Sequence, residues 1–200
     1  MSSAFLLNAS EARVAYLGVR LVSAARLLGL VPNDDERGVD NDQIVAALAA
    51  FSRHGVGRVP FALQEQFTAA TLSVLLEEAL AAMESSPMPH LEWGPLSELL
   101  GEDLLARLVG VSATSLRRYR TGERATPDVV ARRLHFVMLI TTDLAGSYND
   151  FGIRRWYSRP RSALGGEAPT AVFSGDWGED DVRVRQVRDL ARSLLGAAAS

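Results

Sequence analysis

The 200-residue sequence contains no cysteine and no lysine. Without cysteine the chain has no disulfide, no thiolate nucleophile and no thiolate ligand for a metal, which is compatible with a reducing cytoplasm. Long apolar runs are lacking as well, because the longest unbroken one, residues 44–51, is far too short to cross a bilayer. The first residues also lack the basic start of a signal peptide. These absences predict a cytoplasmic protein that does not enter a membrane.

The charges of the chain are unevenly distributed. All 21 basic side chains are arginine, and with 24 acidic side chains they give a net charge of −3, which by itself argues against nucleic-acid binding. Residues 1–97 hold six arginines and eleven acids, whereas residues 104–135 hold seven arginines and only two acids. Local charge decides which surface meets phosphate, so residues 104–135 are the candidate for contact with nucleic acid.

Apolar residues recur at helical spacing along most of the chain, and no stretch alternates as a strand would. The pattern predicts an all-α protein. In the first half it predicts helices on the stripes 17–28 and 44–51, and a longer helix that starts near Leu63. The run Ser-Ser-Pro-Met-Pro at 85–89 breaks the pattern and indicates a domain boundary.

The second half is predicted to contain six further helices. They are Leu96–Leu100, Glu102–Val109, a helix capped by Ser112 that runs through Arg120, a helix that starts at Thr126-Pro127-Asp128 and runs to about Leu144, a short helix that begins at Pro169 and runs through Phe173, and Asp181–Leu195. We therefore expect three domains: an N-terminal helical domain (1–88), a helix-turn-helix domain (89–146) and a small C-terminal domain (147–200).

The segment 104–124, LLARLVGVSATSLRRYRTGER, has the spacing of a helix-turn-helix. Two helices that cross steeply need a small residue at their contact, here Ala106, and a glycine in the turn, here Gly110. The apolar residues expected in the crevice are Leu105, Val109, Val111, Leu116 and Tyr119. In this motif the second helix lies in the major groove of DNA. The alternative is an ordinary helical hairpin with a solvated arginine face.

The polar residues of the second helix are assigned by their chemistry. Those at its N-terminus suit phosphate or short base-edge contacts, and they are Ser112, Thr114 and Ser115. Bidentate contact with guanine falls to Arg117 or Arg118. Backbone phosphates, which set the register without reading sequence, suit Arg120 and Arg124.

A second informative segment, 155–173, carries the pattern W-x3-P-x3-LGG-x2-P. A helix-turn-helix followed by this pattern and a terminal amphipathic helix resembles the Xre/MbcA/ParS-type antitoxin family over about residues 96–200. The resemblance implies an antitoxin that neutralises a toxin with a RES domain, which consumes NAD. We expect it to repress its own operon as a dimer, since helix-turn-helix proteins commonly bind half-sites of operator DNA one turn apart. The residues that match the toxin-binding signature are Trp156, Pro160, Leu164, Gly165, Gly166 and Pro169. The resemblance also implicates the terminal helix in toxin contact, through Val187, Leu190 and Leu194.

Catalytic and metal-binding signals are lacking in the sequence. The three histidines, His54, His90 and His135, share no metal-ligand spacing, and His135 falls inside a predicted helix, where a structural role is expected. We therefore expect no enzymatic activity, no metal and no cofactor. Two alternatives to the antitoxin stay open: a free-standing helix-turn-helix regulator, and an adaptor that binds another protein without binding DNA.

Overall fold

The computed structural model describes residues 9–33, 38–57 and 68–198, with the side chains of residue 9 and of residues 195–198 left aside. These residues form α-helices joined by short connections, with no strand among them, so the all-α prediction is confirmed. The helices are α1 (Ala9–Leu27), α2 (Asn41–Arg53), α3 (Ala69–Glu84), α4 (Pro89–Leu100), α5 (Glu102–Val109), α6 (Ala113–Arg120), α7 (Asp128–Ala145), α8 (Asp150–Ser158), α9 (Pro169–Val172) and α10 (Val182–Ala198). Within the described ranges, no helix combines the length and the apolarity needed to cross a membrane.

The chain divides into two compact units, Met1–Ser86 and Pro87–Ser200. In the first unit α1 packs against both α2 and α3. The approach of α1 to α2 requires a glycine, because a Cβ at Gly18 would lie 2.6 Å from Cδ1 of Ile44. Asp40 begins α2 with a capping box, in which its carboxylate and the side chain of Gln43 satisfy each other's backbone N–H groups. Helix α3 begins after the N-cap Thr68, and the predicted start near Leu63 lies outside the described residues.

The second unit is organised around α7. Thirteen residues of this helix between Ala131 and Leu144 are buried, so the helix has almost no solvent-exposed face along its C-terminal two thirds. Helices α4, α5, α8 and α10 all contact it. Segments that the sequence assigned to two domains, 89–146 and 147–200, therefore share one core. On the apolar stripe of α7, Leu134, Val137 and Met138 are buried and Val130 is half-buried.

Two details at the start of this unit differ from the sequence prediction. Helix α4 spans Pro89–Leu100 rather than only residues 96–100, and it continues through Pro95. The internal proline removes one helix hydrogen bond, but burial of Trp93 and Leu96 on either side of it outweighs that local preference. At the predicted start of α7, the hydroxyl of Thr126 accepts the indole N–H of Trp93 at 3.0 Å rather than capping the helix, and Pro127 occupies the N-cap position without a side-chain cap.

A buried acid and histidine join α4 to α7. Glu92 is fully buried, and its Oε1 lies 2.6 Å from Nδ1 of His135 while also accepting the backbone N–H of Met88. The structural role expected for His135 is confirmed by its burial. The other carboxylate oxygen, Oε2, has no hydrogen-bond partner among the described residues. The imidazole is therefore a principal polar partner of a carboxylate held away from water.

Replacing His135 with leucine should strongly destabilise this unit. Removing one member of a buried acid–base pair leaves the other without compensation, which costs about 3–5 kcal/mol of the free energy of unfolding. The measurement is chemical denaturation followed by circular dichroism. His90, exposed in the first turn of α4, supplies the control, since His90→Leu should change the free energy of unfolding by no more than about 0.5 kcal/mol. Equal effects of the two substitutions would contradict this account.

Candidate functional site

Helices α5 and α6 are joined by a turn at the position where the spacing predicts the turn of a helix-turn-helix. Gly110 ends α5 in the left-handed region, with φ of 78°, and its N–H and that of Val111 both donate to the carbonyl of Ala106. The turn is tight at this point, because a Cβ on Gly110 would lie 3.1 Å from Nη1 of Arg133. Of the apolar residues expected in the crevice, Val111 is half-buried and the others are buried. The buried ones are Leu105, Val109, Leu116 and Tyr119, and the small contact residue Ala106 is buried as well.

The N-terminus of α6 is closed by a serine cap. The hydroxyl of Ser112 accepts the backbone N–H of Ser115 at 3.1 Å and lies 3.0 Å from the Ser115 hydroxyl. Ser112 and Thr114 are exposed and Ser115 is half-exposed. All three predicted N-terminal side chains therefore reach solvent, while Ser112 also stabilises the helix that carries them.

The four predicted arginines are exposed, but they have different partners. Arg117 donates from Nε to Oε2 of Glu102 at 2.7 Å, and Nη1 of Arg120 lies 2.9 Å from Oε1 of the same carboxylate. The guanidinium of Arg124 stacks over the ring of Tyr119 at 5.6 Å. Arg118 has no side-chain partner among the described residues. On α6, Arg117 and Arg120 are thus held by Glu102 and Arg118 is uncommitted, while Arg124, just after the helix, is held by Tyr119.

Glu102 is the residue of this site that the sequence reasoning missed. It lies in the first turn of α5, where a negative charge is favoured by the helix dipole. The hydrogen bond from Arg117 lowers the pKa of Glu102, and it raises that of Arg117. Because folding lowers the pKa of Glu102, the stabilisation that these contacts give is fully present at pH values above the ordinary pKa range of glutamate. This stabilisation is lost as the pH falls through the lowered pKa of the folded state.

Arg133 was counted in the basic segment but does not belong to its surface. It is buried, its Nε donates to the carbonyl of Trp177 at 2.8 Å, and its Nη2 pairs with Asp176. Its guanidinium also stacks over the Trp177 ring at 5.2 Å. Trp177 in turn donates its indole N–H to the carbonyl of Leu108 at 3.1 Å, near the end of α5. Arg133 therefore lies in the core beside the turn at Gly110. The positive charge that residues 104–135 present to solvent comes from their other arginines.

The predicted toxin-binding residues divide into a buried and an exposed set. Four lie in the core of the unit: Trp156, Leu164, Pro169 and Val187. Three are exposed in the connection between α8 and α9: Pro160, Gly165 and Gly166. Two on α10 are half-buried: Leu190 and Leu194. Only the exposed and half-buried residues of this segment are therefore accessible for direct contact with a partner. Ser200, at the end of the predicted contact region, lies outside the described residues.

The connection between α8 and α9 is held in a closed turn. Arg161 and Glu167 pair through their backbones, and Gly165 and Gly166 both adopt positive φ, 69° and 86°, which favours glycine at these positions. The guanidinium of Arg161 stacks over the buried ring of Trp156 at 5.2 Å. The tight turn expected at Leu164-Gly165-Gly166 is present, and Trp156 anchors it to the core.

No protein-family model, curated protein or solved structure matches the chain. The antitoxin resemblance therefore stays a prediction. Among the described residues, no three acidic or histidine side chains are grouped so that they could hold a metal ion. The most developed site in the second unit is the exposed face of α6 with its arginines.

Substituting Gly110 by alanine should destabilise the turn of the helix-turn-helix. An L-residue in the left-handed region costs roughly 1–2 kcal/mol, and the new Cβ would also press on Arg133. The matched control is Gly94→Ala, within α4, where a Cβ meets nothing within 4 Å. That substitution should raise the free energy of unfolding by about 0.5–1 kcal/mol, since alanine is the better helix former. Effects of the same sign in thermal denaturation would contradict the geometry of the turn.

Proposed function

We propose that this chain is a DNA-binding antitoxin. In this proposal α6 enters the major groove of the operator that controls the chain's own operon, and the surface formed by the connection between α8 and α9 and by α10 covers a RES-domain toxin. The protein acts in the cytoplasm, as a homodimer, and it is not an enzyme. The toxin assignment is supported by the family resemblance, and the DNA assignment by the site.

The observation that carries the DNA-binding proposal is the composition of the exposed face of α6. The apolar residues of the helix-turn-helix are buried except the half-buried Val111, so its polar side chains face outward from a supported scaffold. Arginines at 117, 118 and 120 on α6, and at 124 just after it, are all exposed, and the N-terminus of the helix is capped by a serine. Arginine is the side chain best suited to both guanine edges and phosphate, since its fork forms bidentate hydrogen bonds. A homodimer would place two such helices in successive major grooves, one turn of DNA apart.

DNA binding should depend on salt through named arginines. For the full chain on duplex DNA from upstream of its own gene, the logarithm of the association constant should fall linearly with the logarithm of salt concentration. Arg118→Ala and Arg124→Ala should each flatten that slope by roughly 0.9 for every phosphate that the arginine neutralises in the wild type. Fluorescence anisotropy over a series of salt concentrations measures the slope.

The control for this measurement is Arg53→Ala, which removes an exposed arginine from α2 in the first unit and should leave the slope unchanged. A wild-type chain whose DNA affinity does not respond to salt would contradict the proposal and favour the adaptor. Salt-dependent binding without any toxin partner would instead favour the free-standing regulator.

Neutralisation of the toxin should depend on the half-buried leucines of α10. Co-expression of this chain with the product of the neighbouring reading frame should restore growth that the product alone prevents. The double substitution Leu190→Ser, Leu194→Ser removes apolar area worth on the order of 1 kcal/mol or more of binding free energy per side chain, so rescue should fail.

The matched control on the same helix is Val182→Ser, because Val182 is 63% exposed and lies outside the predicted contact. It should preserve rescue. Helicity measured by circular dichroism separates a weakened interface from a loss of fold. Purification from the native host without any toxin attached would contradict the antitoxin assignment.

A further inference from the structure

Glu102 makes a pair of contacts whose chemistry goes beyond charge neutralisation. Its two carboxylate oxygens accept from two different guanidinium groups, Oε2 from Arg117 and Oε1 from Arg120. The two arginines are three residues apart on α6 and so project from the same face of that helix. Glu102 is itself only 25% exposed, whereas the side chain of Arg117 is 64% exposed. A relatively fixed acid therefore holds a side chain that reaches well into solvent.

The atom through which Arg117 is held distinguishes it from Arg120. Arg117 uses Nε, at the side of the guanidinium, so both terminal nitrogens, Nη1 and Nη2, are without a hydrogen-bond partner among the described residues. Arg120 uses Nη1, one of its terminal nitrogens. Bidentate recognition of guanine requires two donors of the fork at once, directed to O6 and N7. Arg117 keeps the terminal pair for that purpose, whereas Arg120 keeps only the edge formed by Nε and Nη2 and is less exposed, at 37% against 64%.

We propose that Glu102 is a positioning residue that makes Arg117 the guanine-reading side chain of α6. The inference rests on the proposed DNA-binding function and adds to it a base, guanine, and a determinant of specificity. Holding Nε restricts the rotamers of a long side chain before DNA arrives, so less freedom is lost when the base contact forms. The carboxylate also offsets the charge of two arginines, which weakens their attraction to phosphate at sites of any sequence. Both effects favour a specific site over a non-specific one.

Two other roles for Glu102 predict different outcomes. If Glu102 only stabilised the crossing of α5 and α6, its loss would weaken binding to every DNA. If it only competed with DNA for the arginines, its loss would strengthen binding to every DNA. The positioning role alone predicts opposite changes at a specific and a non-specific duplex.

The test uses the full chain and two duplexes. One duplex is selected by the wild type from a randomised library, and the other is a scrambled sequence of the same length and base composition. Glu102→Gln should bind the scrambled duplex more tightly, with a steeper salt dependence, by roughly 0.9 in slope for each arginine freed to bind a phosphate. On the selected duplex the same variant should bind more weakly than the wild type. The matched control is Asp103→Asn, which removes the same charge from the neighbouring exposed residue and should alter neither duplex in this way.

The base contact is tested by replacing each guanine of the selected duplex, one at a time, with 7-deazaguanine, which lacks the N7 acceptor. At one position the wild type should lose on the order of 5- to 100-fold in affinity. Arg117→Lys, which keeps the charge but loses the fork, should be insensitive to that replacement. Because Arg117→Lys leaves Glu102 in place, it tests the guanine contact, and can overturn that half of the inference, even where Glu102→Gln does not fold.

The results that overturn the inference are distinct from those that overturn the function. If the wild type binds DNA but Glu102→Gln behaves as Asp103→Asn does, the positioning role is wrong and DNA binding stands. The same holds if Glu102→Gln weakens or strengthens both duplexes, or if Arg118→Ala rather than Arg117→Lys removes the 7-deazaguanine effect. If the wild type selects no duplex and shows no salt-dependent binding, the proposed function and this inference fail together.

Discussion

The architecture of the second unit depends on the burial of one helix from almost every side. Because α7 has little exposed face after its first turn, each helix around it must present an apolar stripe toward it, and none can be removed without uncovering part of it. The helix nevertheless carries polar groups into the core, and three of them are paired with a neighbouring element. His135 meets Glu92, Arg133 meets Trp177, and the hydroxyl of Thr141 lies 3.1 Å from that of Tyr157. Such pairings specify which side of α7 faces which helix, since an unmatched buried polar group is costly.

Burial and charge act together at the helix-turn-helix. The stack of Tyr119 on Trp93, with ring centroids 5.8 Å apart, links α6 to α4, and the indole of Trp93 reaches Thr126 before α7 begins. Helix α6 has only eight residues and would not be stable alone, so these contacts are what hold it in place. Its arginines then project from a fixed base. With no lysine in the chain, every basic group on this face is a guanidinium, which stays charged at any physiological pH and can bond through two nitrogens at once.

Periodicity was sufficient to predict most helices, because apolar spacing and caps are local signals. The turn at Gly110 and the cap at Ser112 follow from residues within a few positions of each other, and the structure has both. The start of α4 was mispredicted, because Pro89 was interpreted as part of the break at 85–89 although it occupies the first turn of the helix, and because Pro95 is tolerated within the packed helix. The contact of Glu102 with Arg117 spans fifteen residues and exists only once α5 and α6 cross, so no local pattern signals it. Likewise, a motif with Trp156 and Leu164 looks the same in a binding surface and in a structural corner, and only packing shows that these two are buried.

The hydrogen bond from Trp177 to the carbonyl of Leu108 has a consequence for how the unit can be divided. Sixty-nine residues separate the two groups along the chain, yet the bond occupies a carbonyl at the end of α5 that no further helical turn would satisfy. A fragment cut after α7 would contain the whole helix-turn-helix but would leave that carbonyl, and the guanidinium of Arg133, without their partners. The smallest piece that can be expressed as an autonomous module is therefore larger than the motif it presents, and it extends at least through the loop that precedes α10.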